Sequence, residues 1–258
     1  MIEYQVDNGV GIMALNRPKA NAYTLEMLKE LDEAILAARL DENVHVIVLR
    51  GKGEKFFSAG ADIEMLTSHS TSYRYYFSLY GHETLTRLEN TPKLVIAALN
   101  GHTVGGGLEI ALACDIRIAK RDGGRLGLAE VNLGVLPGMG GTQRLPRWIG
   151  RAQALEMAAT GRQLSFEEAH ELGLVNHIYE SENFFEQVLD YARQFVPPNK
   201  ASFAVGRIKR AIHAGLDGSL SEGLALEREV LLEAFLSEDA AEGLAANRTR
   251  RTPQFKGR

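Results

Sequence analysis

Two glutamates set among glycines are the residues of this chain best suited to chemistry. Glu109 closes the run Asn100-Gly-His-Thr-Val-Gly-Gly-Gly-Leu-Glu109. Glu130 lies in Gly127-Leu-Ala-Glu-Val-Asn-Leu-Gly134, followed by Pro137-Gly-Met-Gly-Gly-Thr-Gln-Arg144. A carboxyl pair can give and take protons, and glycines let backbone N–H groups approach a ligand closely. The combination points to an enzyme that polarises a carbonyl with amides and moves protons with two carboxyls. Neither residue carries that reading alone, because a Glu in the first turn of a helix is favoured by the dipole. Glu130 by itself reads equally well as a surface residue at a strand end.

Positioning such groups needs a scaffold, and the hydrophobic pattern supplies one. Tyr4–Val6 and Gly11–Leu15 read as hairpin arms turning at Asp7-Asn-Gly9. Residues 44–49 and 94–99 are nearly continuous apolar runs, as expected of strands buried on both faces, and 115–119 alternates. Thr24 is placed to cap a helix carrying Leu28, Leu31, Ile35 and Ala38, and Ser165-Phe-Glu-Glu168 has capping-box spacing with Gly173 as the stop. Strands alternating with helices predict an α/β domain with mainly parallel pairing. After Val196-Pro-Pro-Asn199 strand signals cease, and 200–247 reads as three helices broken near Gly215–Gly218 and Ser237–Asp239. The expected division is a core over 1–196 and a helical region over 197–258.

Two loops follow predicted strands and are placed to open on one crevice. The stretch Phe56-Phe-Ser-Ala-Gly-Ala-Asp-Ile63 can aim the N–H of Ala61 into a cleft. The helix starting near Gly106 has first-turn N–H groups without intrahelical partners. Two such amides converging on one oxygen would make an oxyanion hole.

Composition narrows the alternatives. A net charge of −4 and a pI near 6.0 give no global attraction to nucleic acid or anionic membranes. The first long helix begins Glu26-Met-Leu-Lys-Glu-Leu-Asp-Glu33, which offers no basic stripe to a nucleic acid. Cys114, the single cysteine, excludes an internal disulfide and reads as an inert buried thiol. Met1–Val6 lacks the pattern of a secretory leader, and no run reaches the ~18 apolar residues of a membrane span, so a cytoplasmic location is expected. No His/Cys/Asp cluster has metal-ligand spacing.

In order and spacing, these segments resemble the crotonase, or enoyl-CoA hydratase/isomerase, superfamily, and most closely its enoyl-CoA hydratases. The resemblance runs from Leu15-Asn-Arg-Pro-Lys-Ala20 through Ser58–Ile63, Ala97–Gly101, Gly105–Glu109 and Cys114-Asp115. It continues through Glu130 and Pro137–Arg144, and closes with Gly161, Ala169 and Gly173–Val175. It implies a spiral of ββα units with a C-terminal three-helix region at the contacts of a homotrimer or homohexamer. It implies Ala61 and Gly106 as donors to a thioester oxygen, Glu109 and Glu130 as the acid/base pair, and Gly138 as a holder of the attacking water. Lys19, Ala59, Gly60, Asp62 and Ile63 would contact CoA. Ala20-Asn-Ala-Tyr-Thr24 is one residue shorter than the hydratase pattern.

The reaction implied is reversible syn addition of water to a 2-enoyl-CoA, with Glu109 as base and Glu130 as acid at Cα, and with no metal or redox cofactor. A Δ3,Δ2-enoyl-CoA isomerase, or a hydratase of cyclic or branched acyl-CoA, is the alternative within enzymes. A non-catalytic RNA-binding relative is the alternative outside them. Met65-Leu66 and the aromatics from Tyr73 to Tyr80 are offered both as acyl pocket and as plain core, with core favoured. His102 and Trp148 are read as packing residues or as supports behind the site.

Overall fold

The computed structural model describes residues 1–258. The chain runs β1 (Ile2–Asp7), β2 (Val10–Leu15), α1 (Leu25–Leu40), β3 (Val46–Gly51), β4 (Phe56–Ser58), α2 (Ile63–Ser68), α3 (Thr71–Glu89) and β5 (Leu94–Leu99). It continues through β6 (His102–Val104), α4 (Gly106–Leu112), β7 (Ile116–Lys120), β8 (Arg125–Gly127), a 3-10 turn at Glu130–Leu133, α5 (Gly141–Ile149) and α6 (Arg151–Thr160). Then come β9 (Leu164–Ser165), α7 (Phe166–Glu171), β10 (His177–Tyr179), α8 (Phe184–Arg193), α9 (Ser202–Leu216), α10 (Leu220–Phe235) and α11 (Glu238–Thr249).

Two sheets result. The larger has the order β1-β2-β3-β5-β7-β10 and is parallel except for the β1/β2 hairpin, whose turn residues Asn8 and Gly9 both have positive φ. The smaller has the order β4-β6-β8-β9. Each successive pair, β3/β4, β5/β6 and β7/β8, gives its first strand to the large sheet and its second to the small one. That repetition is the expected spiral.

The apolar runs read as doubly buried strands owe that character to two cores. Val46 and Val48 of β3 face Phe184, Val188, Leu189 and Ala192 of α8. Ile47 and Leu49 face the main core with Leu28, Leu31 and Ile35 of α1. Each large side chain removed from water there contributes roughly 1.5–3 kcal/mol. The Thr24 hydroxyl accepts from Met27 N–H, and Ser165 with Glu168 forms the reciprocal capping box.

Some boundaries differ from the sequence reading. β3 starts at Val46 because His45 N–H donates to Gly9 O at 2.8 Å at the hairpin turn. β7 starts after Asp115, whose carboxylate accepts from Val95 N–H at 2.7 Å. The small sheet and β10 were not anticipated, since strands of two or three residues are too short to display a period. Three helices follow α8. The first is anchored by a buried ion pair, Lys209 Nζ to Asp115 Oδ2 at 2.8 Å. No helix is long and apolar enough to cross a membrane.

Candidate active site

The segment 17–24 and the loop after β4 are built as one unit. Asn21, buried and at positive φ, donates its side-chain amide to Lys52 O, Phe56 O and Phe57 O, while Ser58 Oγ donates to Asn21 O at 2.8 Å. Tyr23 N–H donates to Gly60 O and Asp62 N–H donates to Tyr23 O, both at 2.9 Å, so the backbone of Tyr23 grips the loop on either side of Ala61. Asp62 caps α2 through Met65 N–H at 2.9 Å and pairs with Arg17 at 2.6 Å. The N–H of Ala61 itself has no partner within the protein.

The second loop meets the first at close quarters. Gly60 has a φ of +90°, and a Cβ there would lie 2.9 Å from Gly106 N, so glycine is required on both counts. Gly106 opens α4, and its N–H is likewise unpartnered, as expected of a first-turn amide. Ala61 and Gly106 line the same cavity of about 310 Å³.

Glu109, one turn into α4, is buried and turned toward the loop Pro137–Gly141. Its Oε1 accepts from Met139 N–H and Gly141 N–H, each at 2.7 Å, and Gly138 N–H also lies toward the carboxylate. The loop is held in turn by Arg144, which donates to Met139 O at 3.0 Å and forks onto Glu89, and by Ser78, which donates to Gly138 O. Burial raises the Glu109 pKa, and the Gly141 and Met139 amides oppose that rise by favouring the carboxylate.

Glu130 opens the 3-10 turn after β8 and has no comparable support. Its Oε2 is buried without a hydrogen-bond partner. Burial first, and the Glu109 charge after it, push its pKa up to about 7. The two carboxyls share one cavity in unlike surroundings: Glu109 is stabilised as the anion by amides, whereas Glu130 is poised to hold a proton near neutrality.

The remaining expected residues divide. Ala59, Gly60, Ile63 and Gly138 line the cavity. Asp62 does not, since its carboxylate serves the α2 cap and Arg17. Lys19 is exposed and outside the cavity wall, but its segment borders the loop through Ala59 N–H to Ala20 O at 2.9 Å. Of the aromatic stretch, Phe77 reaches the cavity with Ser78 and Arg74, while Tyr75 and Tyr76 are exposed. Leu66 is a lining residue, and Met65 packs on the core. His102 accepts from Arg125 N–H at 3.1 Å, and Trp148 lies under the Arg117 guanidinium at 4.1 Å; neither lines the cavity. Cys114 is buried, with its thiol pushed up to about 12 by burial.

The sequence reading missed Leu133, Val135 and Leu136, which form an apolar wall beyond Glu130, and it missed Tyr23. A cluster of apolar residues directly after a candidate carboxylate was the available signal for the first group. Tyr23 carried a weaker one, a large aromatic in the shortened segment.

The enoyl-CoA hydratase/isomerase profile matches residues 5–258. The chain belongs to that family. A probable enoyl-CoA hydratase of Bacillus subtilis is 40% identical over 258 residues, covering 99% of this chain and 98% of that protein. Mouse mitochondrial methylglutaconyl-CoA hydratase is 36% identical over 257 residues, covering 97% and 81%. The crystal structure of an enoyl-CoA hydratase from Geobacillus kaustophilus superposes with a TM-score of 0.97 at 42% identity, covering 100% of this chain and 97% of that one. These likenesses make the chain a lyase-type hydratase of enoyl-CoA thioesters with the crotonase fold. No group of three or more His, Cys, Asp or Glu gathers where a metal ion could be held.

Proposed function

We propose that the Glu109/Glu130 cavity hydrates a 2-enoyl-CoA, with the two carboxyls in different roles. One observation carries this reading: two carboxyls of unlike environment and two unpartnered amides, from Ala61 and Gly106, line a single cavity.

The thioester oxygen sits between the Ala61 and Gly106 N–H groups. Attack at Cβ drives negative charge onto that oxygen, and each donor already aimed at it contributes on the order of 3 kcal/mol. Glu109, acting as the carboxylate that the Met139 and Gly141 amides support, takes a proton from water as the water oxygen bonds to Cβ. Glu130, protonated near neutrality, delivers a proton to Cα. The net change is addition of H and OH across the C=C bond, and the reverse path exchanges the two roles. Gly138 borders both the carboxylate and the water position. Ala59, Gly60 and Ile63 form the side of the cavity assigned to CoA, with Lys19 and Asp62 on the adjoining segments. These steps call on no metal or redox cofactor.

The apolar wall of Leu133, Val135, Leu136 and Phe77 suits an acyl chain. Arg74 favours a second substrate: it is the single cation on this lining, donates to Leu66 O at 2.7 Å and has no acidic partner. That arrangement fits an acyl chain ending in a carboxylate, and the likeness to methylglutaconyl-CoA hydratase supports the same choice. The protein is read as cytoplasmic and as a homotrimer or homohexamer, with residues 197–258 as the assembling region.

The test is a panel of 2-enoyl-CoA and 3-enoyl-CoA thioesters, with and without a terminal carboxylate, followed by conjugated absorbance. Loss of absorbance with 2-enoyl substrates supports hydration. Turnover confined to 3-enoyl substrates, with absorbance gained, replaces it with isomerisation.

A further inference from the structure

Tyr23 is buried, with 3% of its surface exposed, yet its hydroxyl forms no hydrogen bond within the protein. A phenol hydroxyl with no acceptor in the protein, on a residue that lines a cavity, is free to donate to a bound group. Its surroundings say which. Tyr23 lines the active cavity, and its ring lies against Phe77 with centroids 6.0 Å apart and planes at 25°. The hydroxyl fills the space that a side chain on Gly106 would occupy, in contact with the backbone that carries the free Gly106 N–H. The backbone of Tyr23 meanwhile holds Gly60 and Asp62, on either side of the free Ala61 N–H. One residue therefore reaches both loops from which the thioester oxygen is held.

We propose that the Tyr23 hydroxyl is a third hydrogen-bond donor to the thioester oxygen, beside the amides of Ala61 and Gly106. An oxygen within reach of Gly106 N–H lies beside this hydroxyl. A neutral phenol is the right donor for an oxygen gaining negative charge, because such hydrogen bonds strengthen as the acceptor becomes anionic. Burial and the two nearby glutamates hold the Tyr23 pKa well above the ordinary phenol value, so the proton stays on its oxygen as charge develops on the substrate. The absence of a protein acceptor also leaves the donor free until substrate arrives. The assignment rests on the hydratase reading of the same cavity.

The experiment is Tyr23→Phe, which keeps the ring and its contact with Phe77 and removes one oxygen. Three quantities are read on the full-length protein: kcat and KM for a 2-butenoyl-CoA, the absorption shift of a bound 2,4-dienoyl-CoA, and the pH profile. The expected result is a ~100-fold fall in kcat, the lower end for loss of an oxyanion donor, with KM little changed. The red shift of the bound dienoyl thioester shrinks, because that shift reports polarisation of the carbonyl, while both pH limbs stay in place. A kcat within twofold of wild type overturns the assignment. So does an unchanged red shift with a displaced pH limb, which would place the hydroxyl on a glutamate instead. Wild-type protein that hydrates no 2-enoyl-CoA would remove the hydratase reading and this assignment together, whereas an active wild type with an unaffected Tyr23→Phe variant removes this one alone.

Discussion

Glu109 Oε1 lies 2.7 Å from the amide nitrogen of Gly141, and that contact ties the carboxylate to the N-terminal end of α5. A helix start favours negative charge, so the contact fixes the position of Glu109 and opposes the rise in pKa that burial causes. Glu130 receives no such support and is left with a buried, unpartnered oxygen. The proposed division into base and acid rests on that asymmetry.

Glu109→Gln and Glu130→Gln should each reduce hydration kcat by at least ~100-fold, the lower end of general acid–base contributions. The double variant should lose less than the product of the single effects, because groups acting as a unit are not additive. Steady-state kinetics with circular dichroism as a folding check decide the matter. Near-normal turnover in either single variant would remove the role assignment.

The pH dependence follows from Glu130, whose pKa is pushed up to about 7 by burial. If it is the acid, kcat/KM declines as pH rises through about 7, and residual turnover of Glu130→Gln lacks that alkaline limb. The same shift has a sign for stability. A carboxyl whose folded pKa lies above its unfolded value binds more protons when folded, so stability falls between roughly pH 4.5 and 7 and then levels. Replacing Glu130 by Gln should therefore raise the melting temperature relative to wild type at pH 8 and do little at pH 4. The gain is on the order of 1 kcal/mol, since the site is partly open to screening solvent. A difference independent of pH would contradict the cause given for the shift.

Gly60→Ala tests the meeting of the two loops. The new Cβ would stand 2.9 Å from Gly106 N, at a residue whose φ is +90°. Screening that amide should lower kcat ~100-fold, the scale of losing one oxyanion donor, while CoA itself still binds. Gly106→Pro is a poorer probe, because a side chain there collides with the Tyr23 hydroxyl and confounds N–H loss with displacement of Tyr23. Calorimetry with CoA alongside kinetics separates the two effects. Unchanged kcat in folded Gly60→Ala would dismiss the proposed donor geometry.

The helical region carries exposed Leu220, Leu232, Phe235 and Leu236. A face of this kind is unfavourable in water and favours closed assembly of identical copies. Light scattering of the full chain should report a trimer or hexamer, and Leu232→Glu with Phe235→Glu should lower the mass. A monodisperse monomer at micromolar concentration would overturn the assembly. Truncation after Pro198 is the harsher test, because it also strips Lys209 from buried Asp115. Breaking such a pair costs about 3–5 kcal/mol, so aggregated, inactive protein is expected.

Much of this was present in the order of residues. Apolar runs at 44–49 and 94–99 required a buried sheet, Thr24 and the Ser165–Glu168 box set two helix starts, and the glycine-framed glutamates marked the cavity. Those signals are local: strand period, helix caps and turn glycines act within a few residues. The small sheet was illegible for the same reason, because strands of two or three residues exist only through their neighbours. The unlike environments of the carboxyls were decided by the fold alone, since Glu109 takes its amides from residues 30 and 32 positions away. So was Tyr23, whose hydroxyl meets Gly106 across 83 residues of chain. Sequence determined which groups could do chemistry. Only tertiary packing set burial, hydrogen-bond partners and mutual approach, and these give the two carboxyls unlike surroundings and leave the Ala61 and Gly106 amides unpartnered.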